Sequence, residues 1–148
     1  MPRSLTLLVV DDEPAHARLL ERTLRRAGIL NRIVHVGDGA RALELLVAEQ
    51  YNPGSLQQPP VLVVLDLNMP GMDGYQVLER LRSGNRTRHV PVIVLTTTQE
   101  SEEFVRCQSL GCDAFLSKPV GYLQFLQATK RLGLVLDQAN EAVNEDGV

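Results

Sequence analysis

Short apolar runs alternate with longer amphipathic segments along the whole chain. Most of the runs are unbroken stretches of Val, Leu and Ile, which is typical of strands buried on both faces of a sheet. Between the runs, apolar residues recur every three or four positions, as they do in helices with one buried side. This pattern predicts five strands, at residues 5–10 (LTLLVV), 32–36 (RIVHV), 61–66 (VLVVLD), 91–96 (PVIVLT) and 112–117 (CDAFLS).

Residues that start and stop helices stand at the ends of the amphipathic segments. Pro14 suits the first turn of a helix, and Asp38 and Asp73 suit N-caps. Gly28 and Gly111 suit C-terminal stops. These signals predict five helices, at residues 15–28, 39–50, 74–84, 99–111 and 121–136, and residues 51–60 (YNPGSLQQPP) are predicted to form a loop.

The order of elements is therefore strand then helix, five times over. Such alternation predicts a doubly wound α/β fold, in which right-handed crossovers place helices on both faces of a parallel sheet. We expect one domain over residues 1–137, followed by a frayed acidic tail at residues 138–148. In open sheets of this kind, ligands bind at the carboxyl ends of the strands.

Composition narrows the class of protein without naming a function. The chain has 148 residues, 44% of them hydrophobic and 22% charged, as in ordinary globular domains. Its net charge of -3 gives no reason to expect a nucleic-acid partner. No apolar run is long enough for a signal peptide or a membrane span, so we expect a cytoplasmic protein. Cys107 and Cys112 fit no zinc or redox spacing and are interpreted as reduced thiols, with a disulfide as the alternative.

Three carboxylates fall at the ends of two predicted strands. Asp11 and Asp12 follow the first strand, and Asp66 ends the third. If these acids meet at one edge of the sheet, each pair costs about 3 kcal/mol in repulsion at an effective dielectric near 20. Mg²⁺, which prefers oxygen ligands, would remove that cost. The alternative is that Asp11 lies in a loop and Asp12 or Glu13 caps the following helix.

Two further strand ends carry groups that bind anions. Thr96 ends the fourth strand and Lys118 follows the fifth. A hydroxyl and an ammonium would hold anionic oxygens next to a metal ion. Taken alone, Thr96 is better explained as a helix cap and Lys118 as a solvated loop charge, but both explanations together with those for the acids are much less favoured.

Four segments together resemble the receiver domain of two-component response regulators. They are VVDDE (residues 9–13), LDLNMPGMDG (65–74), VLTTT (94–98) and SKP (117–119). The resemblance covers residues 5–136, and the combination in this order is far more specific than any one segment. It implies a flavodoxin-like (CheY-like) sheet with strand order 2-1-3-4-5 and five helices.

The resemblance also implies a role for each residue of the motifs. Asp66 would accept a phosphoryl group from a phosphohistidine of a partner kinase. Asp11, Asp12, Asp66 and the backbone carbonyl of Asn68 would bind Mg²⁺. The protein would catalyse its own phosphorylation and slow dephosphorylation, and would not be a turnover enzyme.

Other residues would contact the phosphoryl group, respond to phosphorylation, or set the lifetime of the phosphorylated state. Thr96 and Lys118 would contact phosphoryl oxygens, and Phe115 matches the family's switch aromatic, with a plain core position as the alternative. Asn68 and Thr98 occupy the positions that tune the lifetime of the acyl phosphate in the family. The Lys118–Pro119 peptide bond is expected to be cis, as is typical of the family.

Surfaces for partners are expected on the first and last helices. Leu19, Arg22 and Arg26 would dock the kinase in the family's manner. Apolar residues of the last helix are explained either by a wide core face or by a partner surface, which would include Tyr122, Phe125 and Leu126. The simplest such partner is a second copy, which would make a homodimer through the fourth helix, fifth strand and fifth helix.

The chain also looks like the small, free-standing regulators paired with bacterial phytochrome kinases, which implies a light-sensing histidine kinase as phosphodonor.

Rival functions remain to be weighed against the receiver. A phosphatase of the haloacid dehalogenase type also uses an aspartate at a strand end with Mg²⁺, but it needs a second Asp where this chain has Asn68. A nucleotide-binding module would need a glycine-rich loop after the first strand, where acids stand instead. A receiver-like scaffold would not need the complete set of polar residues.

The three histidines, His16, His35 and His89, share no spacing and are interpreted as solvated or packed side chains.

Overall fold

Five parallel strands form a single sheet, with helices on both sides. The computed structural model describes residues 4–47, 60–97 and 100–139. The strands are β1 (Thr6–Val10), β2 (Ile33–Val36), β3 (Val61–Asp66), β4 (Val92–Thr96) and β5 (Ala114–Ser117). The helices are α1 (Pro14–Arg26), α2 (Gly39–Val47), α3 (Gly74–Ser83), α4 (Ser101–Ser109) and α5 (Tyr122–Arg131). None of these described helices has both the length and the apolar content needed to cross a bilayer.

The strand order is β2-β1-β3-β4-β5, which confirms the predicted doubly wound topology. All four neighbouring pairs are parallel, so the carboxyl ends of the strands lie at the same edge. The strands end at nearly the same level at this edge: Val10 of β1 lies opposite both Val36 of β2 and Leu65 of β3. Thr96, the last residue of β4, lies opposite Ser117 of β5. The residues that follow these strands therefore emerge next to one another.

Each face of the sheet has its own hydrophobic core, because successive strand residues point to opposite sides. One core contains Leu8, Val63 and Val94 and packs against α2, α3 and Cys107 of α4. The other packs against α1 and α5. A strand that helices cover on both faces exposes neither face to solvent, which is why the runs in the sequence are continuously apolar.

Local capping signals have the roles predicted for them. The backbone N–H of Arg41 donates to Asp38 Oδ1 at 2.7 Å, and Asp73 forms a reciprocal capping box with Gln76 at the start of α3. Gly28 and Gly111 follow α1 and α4 with φ values of 86° and 96°, in the left-handed region that glycine adopts most easily.

The last helix is shorter than predicted. It ends at Arg131 instead of Leu136, and Gly133 follows with a φ of 75°. Leu134 and Leu136 then pack against the α1/α5 core without being helical, and Leu136 is buried. The sequence misled here because apolar residues continue beyond the glycine at a spacing that a helix would also produce.

The segment after α5 crosses back to the loop between α1 and β2. The backbone N–H of Leu30 donates to the carbonyl of Asp137 at 2.7 Å, and Ile29 forms an antiparallel bridge with Gln138. The N–H of Asp137 donates to the side-chain oxygen of Asn31 at 2.7 Å. Contacts with the domain therefore extend into the first residues of the expected acidic tail, and residues 140–148 lie outside the described ranges.

The two cysteines are free thiols near the start of β5. Cys107 is buried and Cys112 is partly exposed. Burial is the main cause that raises the pKa of Cys107 to about 12. A thiol held in its protonated form is a poor nucleophile, which agrees with the interpretation of these cysteines as reduced structural residues.

Candidate functional site

Backbone hydrogen bonds hold the polar residues in register beyond the strand ends. The N–H of Asp11 donates to Val36 O at 3.1 Å, and the N–H of Lys118 donates to Thr96 O at 2.8 Å. Both bonds continue the pattern of the parallel sheet by one residue. Asp11 and Lys118 are thereby held at the same edge as Asp66, which ends β3.

Three carboxylates converge at this edge. One oxygen each of Asp11, Asp12 and Asp66 lie within 4.8 Å of one another. Asp11 and Asp66 are only 3% and 5% exposed, whereas Asp12 faces solvent. The structure thus brings together the acids that the sequence places at two separate strand ends.

Lys118 compensates part of this negative charge. Its Nζ lies 2.8 Å from Asp11 Oδ2 and 3.2 Å from Asp66 Oδ1. The peptide bond that follows Lys118 is cis, as expected. One ammonium against three carboxylates leaves the cluster with a net negative charge, which favours a bound cation.

The environment raises the pKa of Asp66 above its ordinary value of 3.8. Burial is the largest cause, and the neighbouring charge of Asp11 acts in the same direction. Lys118 and the backbone N–H of Asn68 act in the opposite direction but do not cancel the rise. Ionisation of Asp66 is therefore disfavoured first by its burial and second by the neighbouring carboxylate of Asp11.

The donor set suits a hard divalent cation. All three converging groups are carboxylate oxygens, two of them buried, with no sulfur or imidazole nitrogen among the grouped ligand atoms. Oxygen-only sites of this kind suit Mg²⁺ and Mn²⁺ more than Zn²⁺ or Cu²⁺. A bound divalent ion would also remove the repulsion that raises the pKa of Asp66.

The loop after Asp66 passes very close to its own backbone. Asn68 is exposed, and its N–H donates to Asp66 Oδ1 at 3.3 Å, which helps to orient the carboxylate. A Cβ on Gly74 would lie 2.6 Å from the carbonyl oxygen of Asp66 and 2.7 Å from the Cα of Leu67. Gly71 has a φ of 74°, so the first glycine makes the turn and the second permits the close approach.

The expected switch residues lie on β4 and β5. Thr96 is fully buried at the end of β4. Phe115 of β5 is partly buried, and its ring meets the ring of Phe104 on α4 edge to face, with 5.4 Å between centroids. Thr98, the second residue expected to tune lifetime, lies outside the described residues.

Two histidines that the sequence gave no reason to select contact the site. His16 Nδ1 lies 3.1 Å from Lys118 Nζ, and His35 Nε2 lies 2.7 Å from the backbone oxygen of Asp11. Both belong to elements next to Asp11: His16 lies in the first turn of α1, and His35 is on the strand paired with β1. A search for polar residues within one turn of the acids would have found His16, but its aim towards Lys118 depends on the tertiary structure.

The expected docking residues divide into exposed and buried groups. Leu19, Arg22 and Arg26 are exposed on α1 and available to a partner. Phe125, by contrast, is fully buried in the α1/α5 core, so its assignment to a docking surface is wrong. Tyr122 and Leu126 are partly buried against the same core. Most of the apolar residues of the last helix are therefore explained by the core.

A crevice of about 290 Å³ opens next to the acids, between α1 and the segment after β5. Its walls are mainly apolar and include Leu19, Leu20 and Val120. Asp66, Lys118 and His16 also contribute to its lining. The polar site thus continues into an apolar hollow that faces helix α1.

Comparisons with known proteins agree on one family. Residues 7–130 match the response regulator receiver domain. The bacteriophytochrome response regulator AtBRR superposes with a TM-score of 0.78 at 35% identity, over 95% of this chain and 100% of that one. The probable methanogenesis regulatory protein FilR2 of Methanothrix harundinacea is 35% identical over 78% of this chain and 73% of its own length.

Some relatives are much longer than this chain. The sensory/regulatory protein RpfC of Xanthomonas campestris is 34% identical over 80% of this chain, and the match covers only 15% of RpfC. The similarity to RpfC therefore concerns a single module, and the activity of the longer protein does not transfer with it.

Proposed function

The chain belongs to the family of response regulator receiver domains, and we propose that it is the phosphoacceptor of a two-component signalling system, with Asp66 as the accepting residue. The observation that carries the proposal is the convergence of Asp11, Asp12 and Asp66, of which Asp11 and Asp66 contact the ammonium of Lys118. Asp66 is the member of this cluster that both contacts the ammonium and stands at the end of the central strand.

Mg²⁺ is the metal ion that we assign to the acidic cluster. Asp11, Asp12 and Asp66 would hold it through carboxylate oxygens, and the backbone carbonyl of Asn68 would complete the protein ligands. When bound, the ion would offset negative charge on the phosphoryl oxygens during transfer. The oxygen-only donor set and the raised pKa of Asp66 support this assignment.

The reaction joins Asp66 to phosphorus. A carboxylate oxygen of Asp66 forms the new bond while the bond from phosphorus to the imidazole nitrogen of a kinase histidine breaks. The bonding electrons remain on that nitrogen, so the products are an acyl phosphate and a free histidine. Lys118 and Thr96 would donate hydrogen bonds to the phosphoryl oxygens. Because the transition state for such transfers is loose, placement and charge compensation supply most of the catalysis.

Phosphorylation would switch the surface built by α4, β5 and α5. A phosphoryl group adds about -1.5 to -2 charges and strong hydrogen-bond acceptors next to Thr96. Movement of Thr96 towards them would leave room for Phe115 to turn, which would break its contact with Phe104. Since Phe104 belongs to α4, the position of that helix would report the state of Asp66.

A partner surface on α4 is consistent with such a switch. Phe104 and Val105 are 41% and 60% exposed although both are apolar. A hollow of about 300 Å³ lies next to them, lined by Phe104, Phe115 and Arg131 among others. We assign this surface to a second copy of the chain, so the active form would be a homodimer through α4, β5 and α5.

The phosphodonor that we assign is a histidine kinase, and more narrowly a bacterial phytochrome. Helix α1 offers Leu19 together with Arg22 and Arg26 to the kinase, and Leu19 borders the crevice beside the acids. The similarity to AtBRR, a bacteriophytochrome response regulator, supports the light-sensing partner.

A net charge of -3 argues against nucleic acid as a partner. The free cysteines are in keeping with a cytoplasmic reaction.

A haloacid dehalogenase phosphatase is the main alternative. That activity needs a general acid two residues after the nucleophile, and the amide of Asn68 is too weak an acid to protonate a leaving group. An acyl phosphate on Asp66 would therefore be hydrolysed slowly. Asn68 and Thr98 would tune that slow step, and we expect a phosphorylated state of moderate lifetime.

The test is covalent labelling followed by intact mass measurement. Acetyl phosphate and Mg²⁺ should add one phosphoryl group per chain, and Asp66→Asn should abolish the addition. Asp38→Asn is the matched control, because Asp38 caps α2, is not one of the converging acids, and should leave labelling unchanged when replaced. Labelling that persists in Asp66→Asn would show that the acceptor is another residue. Steady turnover of an aryl phosphate would favour the phosphatase instead.

A further inference from the structure

Three acceptors surround the ammonium of Lys118. Asp11 Oδ2 lies at 2.8 Å, His16 Nδ1 at 3.1 Å and Asp66 Oδ1 at 3.2 Å. An ammonium group has three N–H donors, so each hydrogen has one acceptor. Two of these acceptors belong to the acidic cluster, and the third, His16, lies on α1.

The contact between Lys118 and His16 has a defined direction. The Lys118 ammonium has no acceptor atom, so it must donate to His16 Nδ1. In this contact His16 Nδ1 accepts through its ring lone pair. The distance from His16 Nδ1 to Asp11 Oδ2 is 3.9 Å, too long for a hydrogen bond, so His16 acts on the site through Lys118.

We propose that His16 is a positioning residue for Lys118 in the phosphoryl-transfer reaction. The inference rests on the proposed function, since it assigns a role within the same site. His16 holds the ammonium from the α1 side, and the other two N–H groups point towards Asp11 and Asp66, where the phosphoryl oxygens would lie. Without His16, the ammonium keeps only its contacts with Asp11 and Asp66 and is no longer held from the α1 side.

The local structure allows a clean substitution. His16 sits in the first turn of α1, and about half of its side chain (49%) is exposed, so replacing it leaves no cavity in either core. Asn is a good replacement for the acceptor, because its Oδ1 is about as far from the backbone as Nδ1 of histidine. Leu has a similar size but no acceptor.

The first experiment compares these two variants by the rate of labelling with acetyl phosphate at saturating Mg²⁺. His16→Leu should label about five- to tenfold more slowly than wild type, because one charge-assisted hydrogen bond to a half-exposed partner is lost. His16→Asn should stay within about twofold of wild type. His89→Leu, on the exposed loop before β4, controls for the loss of a surface histidine and should label normally. Equal rates for His16→Leu and wild type would overturn the proposal.

The second experiment tests whether His16 acts through Lys118. Lys118→Met will itself slow labelling, and adding His16→Leu to it should cause no further loss, because the group that His16 positions is gone. If His16→Leu slows labelling by the same factor with and without Lys118, the histidine acts independently and the positioning role is wrong.

A third measurement does not depend on the reaction. In metal-free protein, the side-chain ammonium of Lys118 should give a separate ¹H–¹⁵N resonance, protected from exchange by its three acceptors. The resonance should persist in His16→Asn and disappear in His16→Leu. If wild-type protein is never labelled, the proposed function fails, but this spectrum still shows whether His16 contacts Lys118. If wild-type protein is labelled and the Lys118 resonance is unchanged in His16→Leu, only the positioning role fails.

Discussion

Gly74 shows how tightly the backbone is packed around the acceptor. A Cβ at this position would lie 2.6 Å from the carbonyl oxygen of Asp66, a distance that real Cβ contacts do not reach. Gly37, at the end of β2, has nothing within 4 Å of its corresponding Cβ. The two glycines therefore differ in their packing although both stand at the same edge of the sheet.

We expect Gly74→Ala to destabilise the protein by about 1–3 kcal/mol, because the loop after β3 must move to admit the methyl group. Gly37→Ala should change the free energy of unfolding by about 0.5 kcal/mol or less. Urea unfolding of both variants measures the difference. Similar values for the two would show that the close approach at Gly74 relaxes without cost.

Ionisation of Asp66 makes stability depend on pH. Its pKa is raised in the folded protein, so between about pH 4 and the raised value the folded state binds more protons than the unfolded state. The contribution of Asp66 to stability therefore falls as the pH rises through that range. Asp66→Asn removes this dependence, since its amide does not titrate.

In the presence of a metal chelator, the free energy of unfolding of Asp66→Asn should increasingly exceed that of wild type as the pH is raised from 4 to 7. Urea unfolding at each pH measures it, and Glu44→Gln, an exposed change on α2, supplies the reference for losing an acid elsewhere. Added Mg²⁺ should reverse the trend by stabilising wild type. An advantage that stays constant over this pH range would contradict the electrostatic cause.

At the scale of elements, Asn31 joins three segments that are distant in sequence. Its side-chain nitrogen donates to Leu5 O at 2.8 Å, and its side-chain oxygen accepts from the N–H of Asp137 at 2.7 Å. Arg25 donates to the carbonyls of Ile29 and Asn31, both at 2.8 Å, and so shapes the loop that carries Asn31. The start of β1 and the segment after α5 are thus held by one buried amide.

We expect Asn31→Ala to lower the free energy of unfolding by about 2–3 kcal/mol, because the buried carbonyl of Leu5 and the partly buried N–H of Asp137 lose this partner. Amide exchange should become faster at Leu30, whose N–H is bonded to Asp137 O, and stay slow in β3. Asn85→Ala, on the exposed loop before β4, is the control. Unchanged exchange at Leu30 would show that the segment after α5 is held by its apolar residues alone.

At the scale of the whole molecule, the proposed dimer depends on apolar residues that the fold leaves exposed on α4. Only Cys107 of that helix is buried in the core, whereas Val105 is 60% exposed. A charge at Val105 would be solvated in the monomer and desolvated in a dimer through this surface. The substitution therefore separates assembly from folding.

Val105→Glu should weaken the dimer at least about tenfold, since an unpaired buried charge costs more than the roughly 1.4 kcal/mol that a tenfold change requires. Sedimentation or light scattering over a concentration series measures the effect, with and without acetyl phosphate. Val47→Glu, an exposed apolar change on α2, should leave assembly unaltered. A dimer that tolerates Val105→Glu but not Val47→Glu would move the interface to the other side of the molecule.

Sequence patterns predicted the element order well because they report local physics. Strands buried on both faces must be continuously apolar, and residues such as Asp38, Asp73, Gly28 and Gly111 act on the backbone within one turn. Once strands and helices alternate, the parallel sheet and its common carboxyl edge follow. That is why Asp11, Asp66, Thr96 and Lys118 could be grouped before any coordinates were known.

The tertiary structure alone decided which side chains meet and which are covered. Leu134 and Leu136 return to the core beyond a glycine, and Phe125 is buried where a docking residue was predicted. His16 reaches Lys118 although 102 positions separate them in the chain. Apolar periodicity shows that a residue prefers burial, but the packing of α1 and α5 on the sheet determines what covers it and which polar groups are left facing one another.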